Sequence, residues 1–167
     1  ISEGLVGSEM CIRDSTVNDP DDGMPWDFNV PEKADKAMRM IKDKKALLVI
    51  GSPVCTAFSN LQEYNIKKKG EEWYRRIWEE GKRHVEFCVE IYKEQMRNGM
   101  YFLHEHPATA KSWGLQVVRD LLGEDGVVRI NGDQCAYGHV AYDWEGIGSI
   151  KKPTGWMTNA GCIAEAL

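Results

Sequence analysis

The stretch Ala46-Leu47-Leu48-Val49-Ile50-Gly51-Ser52-Pro53-Val54-Cys55-Thr56-Ala57-Phe58-Ser59 decides the fold. It opens as a short continuous apolar run, the signature of a strand buried on both faces, and Gly-Ser-Pro stops that run at once. Upstream, Asn18–Gly23 has turn composition, Pro31 stands where a helix begins, and Ala34, Ala37, Met38 and Ile41 recur at helical spacing. The Lys42–Lys45 cluster suits that helix's C-terminus. Downstream, a helix is expected from Glu71 to Arg97, with Trp73, Ile77, Val85, Cys88, Ile91, Tyr92 and Gln95 near one stripe and Asn98-Gly99 as its stop. Met100–Glu105 reads as a second strand, Pro107 opens a helix to about Leu122, and Val127–Ile130 is a third strand. From Gly132 onward the chain is rich in Gly and polar residues and reads as a loop-rich extension. Alternating helices and strands predict an α/β fold with a Rossmann-like, doubly wound parallel sheet, its functional residues just after the strand ends.

Composition bounds the function classes. With 43% hydrophobic residues in 167, the chain can bury one core. No run of 18 apolar residues and no basic-then-apolar leader appears, so no membrane span or secretory signal is expected and the location is intracellular, cytoplasmic or nuclear. The five cysteines, Cys11, Cys55, Cys88, Cys135 and Cys162, are odd in number and widely spaced, and read as free thiols. A net charge of −5 argues against a nucleic-acid-coating module but leaves room for a local positive groove. Met10-Cys11-Ile12-Arg13-Asp14-Ser15 back-translates as ATG TGT ATA AGA GAC AG, the mosaic end that transposase-based sequencing libraries attach to DNA. Residues 1–15 are therefore expected to be an adaptor-derived artefact without fixed structure, and the reading frame to begin inside a gene, truncating the N-terminus. Setting aside Arg13 against Glu3, Glu9 and Asp14 moves the charge balance to about −3. The expected division is a partial catalytic domain over 16–131 and an extension of the same domain over 132–167.

Two motifs fall at expected strand ends: the loop Gly51–Ser59 and His104-Glu105-His106-Pro107. A cysteine in a tight proline-containing loop can be held partly exposed, with backbone amides nearby to favour the thiolate a nucleophile needs. A carboxyl group at the neighbouring strand end, partly buried, can deliver a proton to a ring nitrogen. Cys55 and Glu105 together suit covalent attack on a pyrimidine. Each also has a plainer role open to it: Cys55 as a small buried apolar residue, Glu105 as a cap on the helix that Pro107 begins. His104 and His106 share one strand face, but no third ligand of clear spacing appears, so no metal is expected. Trp73, Trp78 and Trp113 read as packing, while Trp156, in a polar stretch, is the best candidate for base stacking. Lys67-Lys68-Lys69 reads as a solvated loop placed where it could meet phosphate.

The loop and the strand end resemble those of the DNA cytosine-5 methyltransferases, whose nucleophile loop runs Gly-x-Pro-Pro-Cys-Gln-x-Phe-Ser and whose next strand ends in Glu-Asn-Val. Gly51, Pro53, Cys55, Phe58, Ser59 and Glu105 match in register; Val54, Thr56 and His106-Pro107 depart from the pattern. The resemblance covers roughly Trp26 to Ile130. It implies that Cys55 adds to cytosine C6, that Glu105 protonates N3, and that the resulting enamine takes its methyl from S-adenosyl-L-methionine (SAM), with the base flipped out of the DNA. It further implies Asp27, Ser52 and Pro53 as cofactor contacts and Ser59, Gln134, Lys152 and Trp156 as nucleic-acid contacts. The family's Gly-rich SAM cradle would lie upstream of residue 16, so the chain alone is expected to be inactive. Asp133–Gly138 occupies the approximate place of its Gln-x-Arg-x-Arg motif without the arginines. Two other readings stay open: a non-catalytic DNA-binding or assembly domain derived from such an enzyme in a mobile element, and a pyrimidine nucleotide methylase.

Overall fold

A computed structural model describes residues 18–60, 62–138, 140–143, 146–149 and 151–167; the adaptor-like segment 1–15 lies outside the described residues. The elements run α1 (Pro31–Lys44), β1 (Leu48–Gly51), α2 (Gln62–Lys69), α3 (Glu71–Arg97), β2 (Tyr101–Pro107), α4 (Gln116–Leu122), β3 (Val128–Asp133), β4 (Val140–Asp143), β5 (Gly146–Ser149), β6 (Pro153–Thr158) and α5 (Gly161–Ala166), with 3-10 turns at Thr56–Phe58, Lys111–Gly114 and Gln134–Tyr137. The result is a mixed α/β fold around a four-stranded sheet of order β1-β2-β6-β3, with β4 and β5 forming a separate hairpin.

The helix and strand expectations around residue 50 hold. Pro31 opens α1, where its missing N–H costs nothing, and Lys42 and Lys44 fall in its last turn. β1 pairs in parallel with β2, from Leu48 opposite Tyr101 to Gly51 opposite His104, and the connection between them carries α2 and α3. The apolar stripe of α3 buries Val85, Val89, Ile91 and Tyr92 in one core with Val49, Phe102 and Met157. Gln95, also buried, donates from Nε2 to the carbonyls of Ala46 and Tyr101 at 2.8 and 3.0 Å. One polar side chain thereby ties the end of the long helix to the starts of both parallel strands.

Three expectations are corrected. The sheet is only partly parallel, because β6 lies between β2 and β3 and runs antiparallel to both. Pro153 and Gly155 make this segment read as loop, yet each has a position in the strand that suits it. Pro153 is the first residue, and a Cβ on Gly155 would stand 2.8 Å from the Trp113 ring that covers it. Second, β2 runs on through Pro107, and the following chain makes a 3-10 turn before α4, so the helix starts nine residues after Pro107, at Gln116. Glu105 therefore caps no helix there. Third, Gln62–Lys69 is helical, and Lys67, Lys68 and Lys69 occupy its last turn, where cations suit the helix dipole.

Gly51 is the tightest point of this arrangement. A Cβ there would lie 1.9 Å from the Tyr92 hydroxyl, so only glycine lets α3 close on the strand end. Gly51→Ala is expected to lower stability by roughly 1–3 kcal/mol through overpacking, with Tyr92→Phe in the same chain recovering part of the loss. Urea unfolding of the two variants measures this; an unchanged midpoint for Gly51→Ala would contradict the packing described.

Candidate active site

Adjacent residues of a strand point to opposite faces, and the end of β2 uses both. On one face, Glu105 accepts a 2.6 Å hydrogen bond from the Ser52 hydroxyl through Oε2. On the other, His106 donates from Nε2 to the Pro53 carbonyl at 3.0 Å, and Ser112 bonds its Nδ1. Two successive loop residues after β1 are thus held by two successive residues of β2. Beyond them Cys55 caps the Thr56–Phe58 turn with backbone at φ −87°, ψ −6°, accepting the Phe58 N–H at 3.0 Å. Phe58 is fully buried, edge-on to Trp78 at 5.0 Å, and rests on α3 where Gly81 leaves room for Ala57 and Phe58. Cys55 itself is half-buried.

The fold brings Ser52 and Glu105 into contact where β1 ends, with Pro53 and Cys55 following in the same loop. Lys152, just before β6, places Nζ 3.5 Å from Glu105 Oε1, close enough for an ion pair but not aligned as a hydrogen bond. Each carboxylate oxygen therefore already faces a donor. Gln134 reaches this neighbourhood through its backbone, its N–H bonding the Lys152 carbonyl at 3.1 Å. Trp156 requires correction: it stands in β6 rather than in a loop, directly between Glu105 and Ile130, and is buried against Tyr137. It is a wall beneath Glu105, not an open stacking platform. Ser59 accepts the Gln62 N–H at the start of α2. Asp27 is turned into its own loop, Oδ1 accepting from the Asn29 backbone and side chain at 2.9 and 3.1 Å.

Sequence reading weighed His106 only as a metal ligand and passed over Ser112. His106 stands at the His-Pro departure from the family pattern, but only the bond to Pro53 gives that departure meaning, and nothing in the sequence marks Ser112. His104 and His106 are both buried. His104 Nδ1 shares a 3.0 Å hydrogen bond with the Tyr92 hydroxyl, and the ring meets Trp113 edge-on at 5.3 Å. Among the described residues no group of three His, Cys, Asp or Glu is gathered to hold a metal.

A second surface adjoins the Cys55 turn. Lys67, Lys68 and Lys69 end α2, and an open cleft of about 480 Å3 is lined by Ile66, Glu71, Tyr74, Arg75, Trp78 and Lys111. Lys69 Nζ lies 4.4 Å over the Trp73 ring, and Tyr64 is 73% exposed. Cations and aromatic rings alternate here in a chain that is acidic overall.

Burial pushes the His104 imidazole down to about 3, with the neighbouring His106 adding to the effect, and burial also lowers His106, against the Pro53 carbonyl and Glu105. Both rings are held neutral while the unfolded chain takes up protons below about 6.5. Stability is thus complete above that pH and falls on acidification toward 3, by up to about 1.4 kcal/mol per pH unit for each ring held neutral. Urea midpoints between pH 7 and 4 should fall accordingly, and His104→Asn, which keeps an acceptor for Tyr92 but does not titrate, should flatten the curve.

No family model, no curated protein and no solved structure matches this chain.

Proposed function

We propose that this chain carries the base-attacking residues of a pyrimidine C5-methylating domain, acting on cytosine in DNA, within a Rossmann-like variant of the mixed α/β fold. The observation that carries the reading is the Ser52–Glu105 hydrogen bond, which joins the nucleophile loop to the carboxylate at one sheet edge. A partly parallel sheet with helical crossovers and polar residues clustered after the strand ends supports the fold assignment.

In the proposed reaction the Cys55 thiolate forms a bond to C6 of the pyrimidine. The C5–C6 π pair moves to form a C4–C5 double bond as the C4–N3 π pair moves onto N3, which takes a proton from the Glu105 carboxyl, leaving a neutral enamine with nucleophilic C5. Glu105 Oε2 is already engaged by Ser52, whereas Oε1 has only the Lys152 ammonium at 3.5 Å, so an entering base would reach the carboxyl at Oε1 by moving Lys152 aside. SAM would supply the methyl group. The groups assigned to it do not fit a cradle: the Ser52 hydroxyl, the Pro53 carbonyl and the Asp27 carboxylate are each engaged within the chain.

DNA as partner is supported by the α2–α3 surface, where Lys67, Lys68, Lys69, Arg75 and Lys111 surround aromatic rings next to the Cys55 turn. One observation favours the non-catalytic alternative, a DNA-binding or assembly module: the internal engagement of those same three cofactor groups.

Two experiments test these readings. DNA containing 5-fluorocytosine, incubated with SAM and the longest reading frame that includes this chain, should form a covalent adduct that Cys55→Ser abolishes and Glu105→Gln strongly reduces. Adduct formation by the serine variant would sink the nucleophile assignment, and no adduct with any variant would favour the binding module. Charge reversal at Lys68 or Arg75 should weaken DNA binding and lower the salt slope by about one for each phosphate no longer neutralised; a slope unchanged in both would remove the α2–α3 surface as the DNA-binding face.

A further inference from the structure

We infer that His106 is a positioning residue that, oriented by Ser112, holds the Cys55 loop closed by donating to the Pro53 carbonyl. The inference rests on Cys55 being the residue that the loop presents, whatever it attacks.

The geometry leaves His106 few alternatives. The ring is fully buried, 5.8 Å from the Phe58 ring and in line with Gly155 of β6, so it cannot swing to another partner without disturbing the core. A neutral imidazole has one donor and one acceptor. With Ser112 Oγ giving its proton to Nδ1, the remaining N–H sits on Nε2, 3.0 Å from the Pro53 carbonyl. Ser112 in turn is fixed by the 3-10 turn Lys111–Gly114, whose Trp113 donates from Nε1 to the Pro107 carbonyl at 2.8 Å. The chain after β2 thus folds back to set the tautomer of a residue within β2, and that tautomer reaches across to the loop after β1. Pro53 is itself buried, so its carbonyl has no ready water substitute if the donor is removed. Two residues later the backbone turns at Cys55, and Phe58 plugs the far end. Removing the near clamp should therefore free Cys55 while the Phe58 end stays seated.

The test uses the 167-residue chain and iodoacetamide, with the alkylation rate of each cysteine followed by peptide mass mapping well below the unfolding temperature. Cys162, which is exposed, sets the open rate, and Cys88, half-buried in α3, reports general loosening. His106→Phe, which keeps a ring but no donor, should raise the Cys55 rate about fivefold to tenfold toward that of Cys162 while Cys88 stays slow. His106→Gln, which restores a donor at the same reach, should return the rate to near that of the wild type. Should His106→Phe fail to fold, Ser112→Ala carries the same comparison, with a smaller rise expected at Cys55 alone. An unchanged Cys55 rate overturns the inference, as does a parallel rise at Cys55 and Cys88, or a glutamine variant that behaves like phenylalanine. Release of Cys55 as expected, together with no fluorocytosine adduct from the longest reading frame that includes this chain, keeps this inference and loses the cytosine reading.

Discussion

The candidate site depends on a constraint of strand geometry: neighbouring side chains on a strand leave by opposite faces. At the end of β2 this sends Glu105 to one side and His106 to the other, and the loop after β1 bonds to both, through the Ser52 hydroxyl and the Pro53 carbonyl. Because β1 and β2 are parallel and in register from Leu48 to Gly51, the loop leaves β1 alongside the residues that hold it. A one-residue slip of that register would exchange the two faces and break both bonds. The position of Cys55 is therefore a consequence of sheet pairing, reached through two polar bonds.

Register in turn depends on the core beneath. Tyr92 of α3 stacks on Phe102 at 4.5 Å and sends its hydroxyl between Gly51 and His104. Burying two histidines is tolerable only while they remain neutral, and the low proton affinity that burial imposes on both rings keeps them so near neutral pH. Neutrality also leaves Nδ1 of His106 able to accept from Ser112, while Nδ1 of His104 shares a hydrogen bond with the Tyr92 hydroxyl. The Ser112–His106–Pro53 chain of bonds thus fixes one tautomer under the site.

On the opposite face, Glu105 is enclosed by the reversed strand. β6 sets Trp156 directly across from it, and the approach to β6 delivers Lys152 to Oε1. Asn159, just past β6, bonds the Phe102 N–H and the Met100 carbonyl at 2.9 and 3.0 Å, so the strand that walls the site also pins the start of β2. β6, within the stretch that reads as an extension, is one of the two central strands of the sheet.

The sequence by itself determined the elements whose signal is local. The apolar run at 46–50, the stripe of α3, the proline opening α1 and the placement of the 51–59 loop at a strand end follow from periodicity and from the intrinsic properties of proline and glycine. Those local rules failed where a residue's neighbours come from far along the chain. Pro153 and Gly155 signal a turn in isolation, but β6 has β2 and β3 on either side and Trp113 above, and it is those partners that make a strand of it. Trp156 looked exposed because the residues around it are polar, and burial by distant strands reversed that. His106 and Ser112 carried no motif, since a histidine acquires a role only from the acceptor it faces, and Pro53 is 53 residues away. Chemistry that resides in one residue type was legible in the chain; the direction in which each side chain points, and what it meets there, was decided by the tertiary structure.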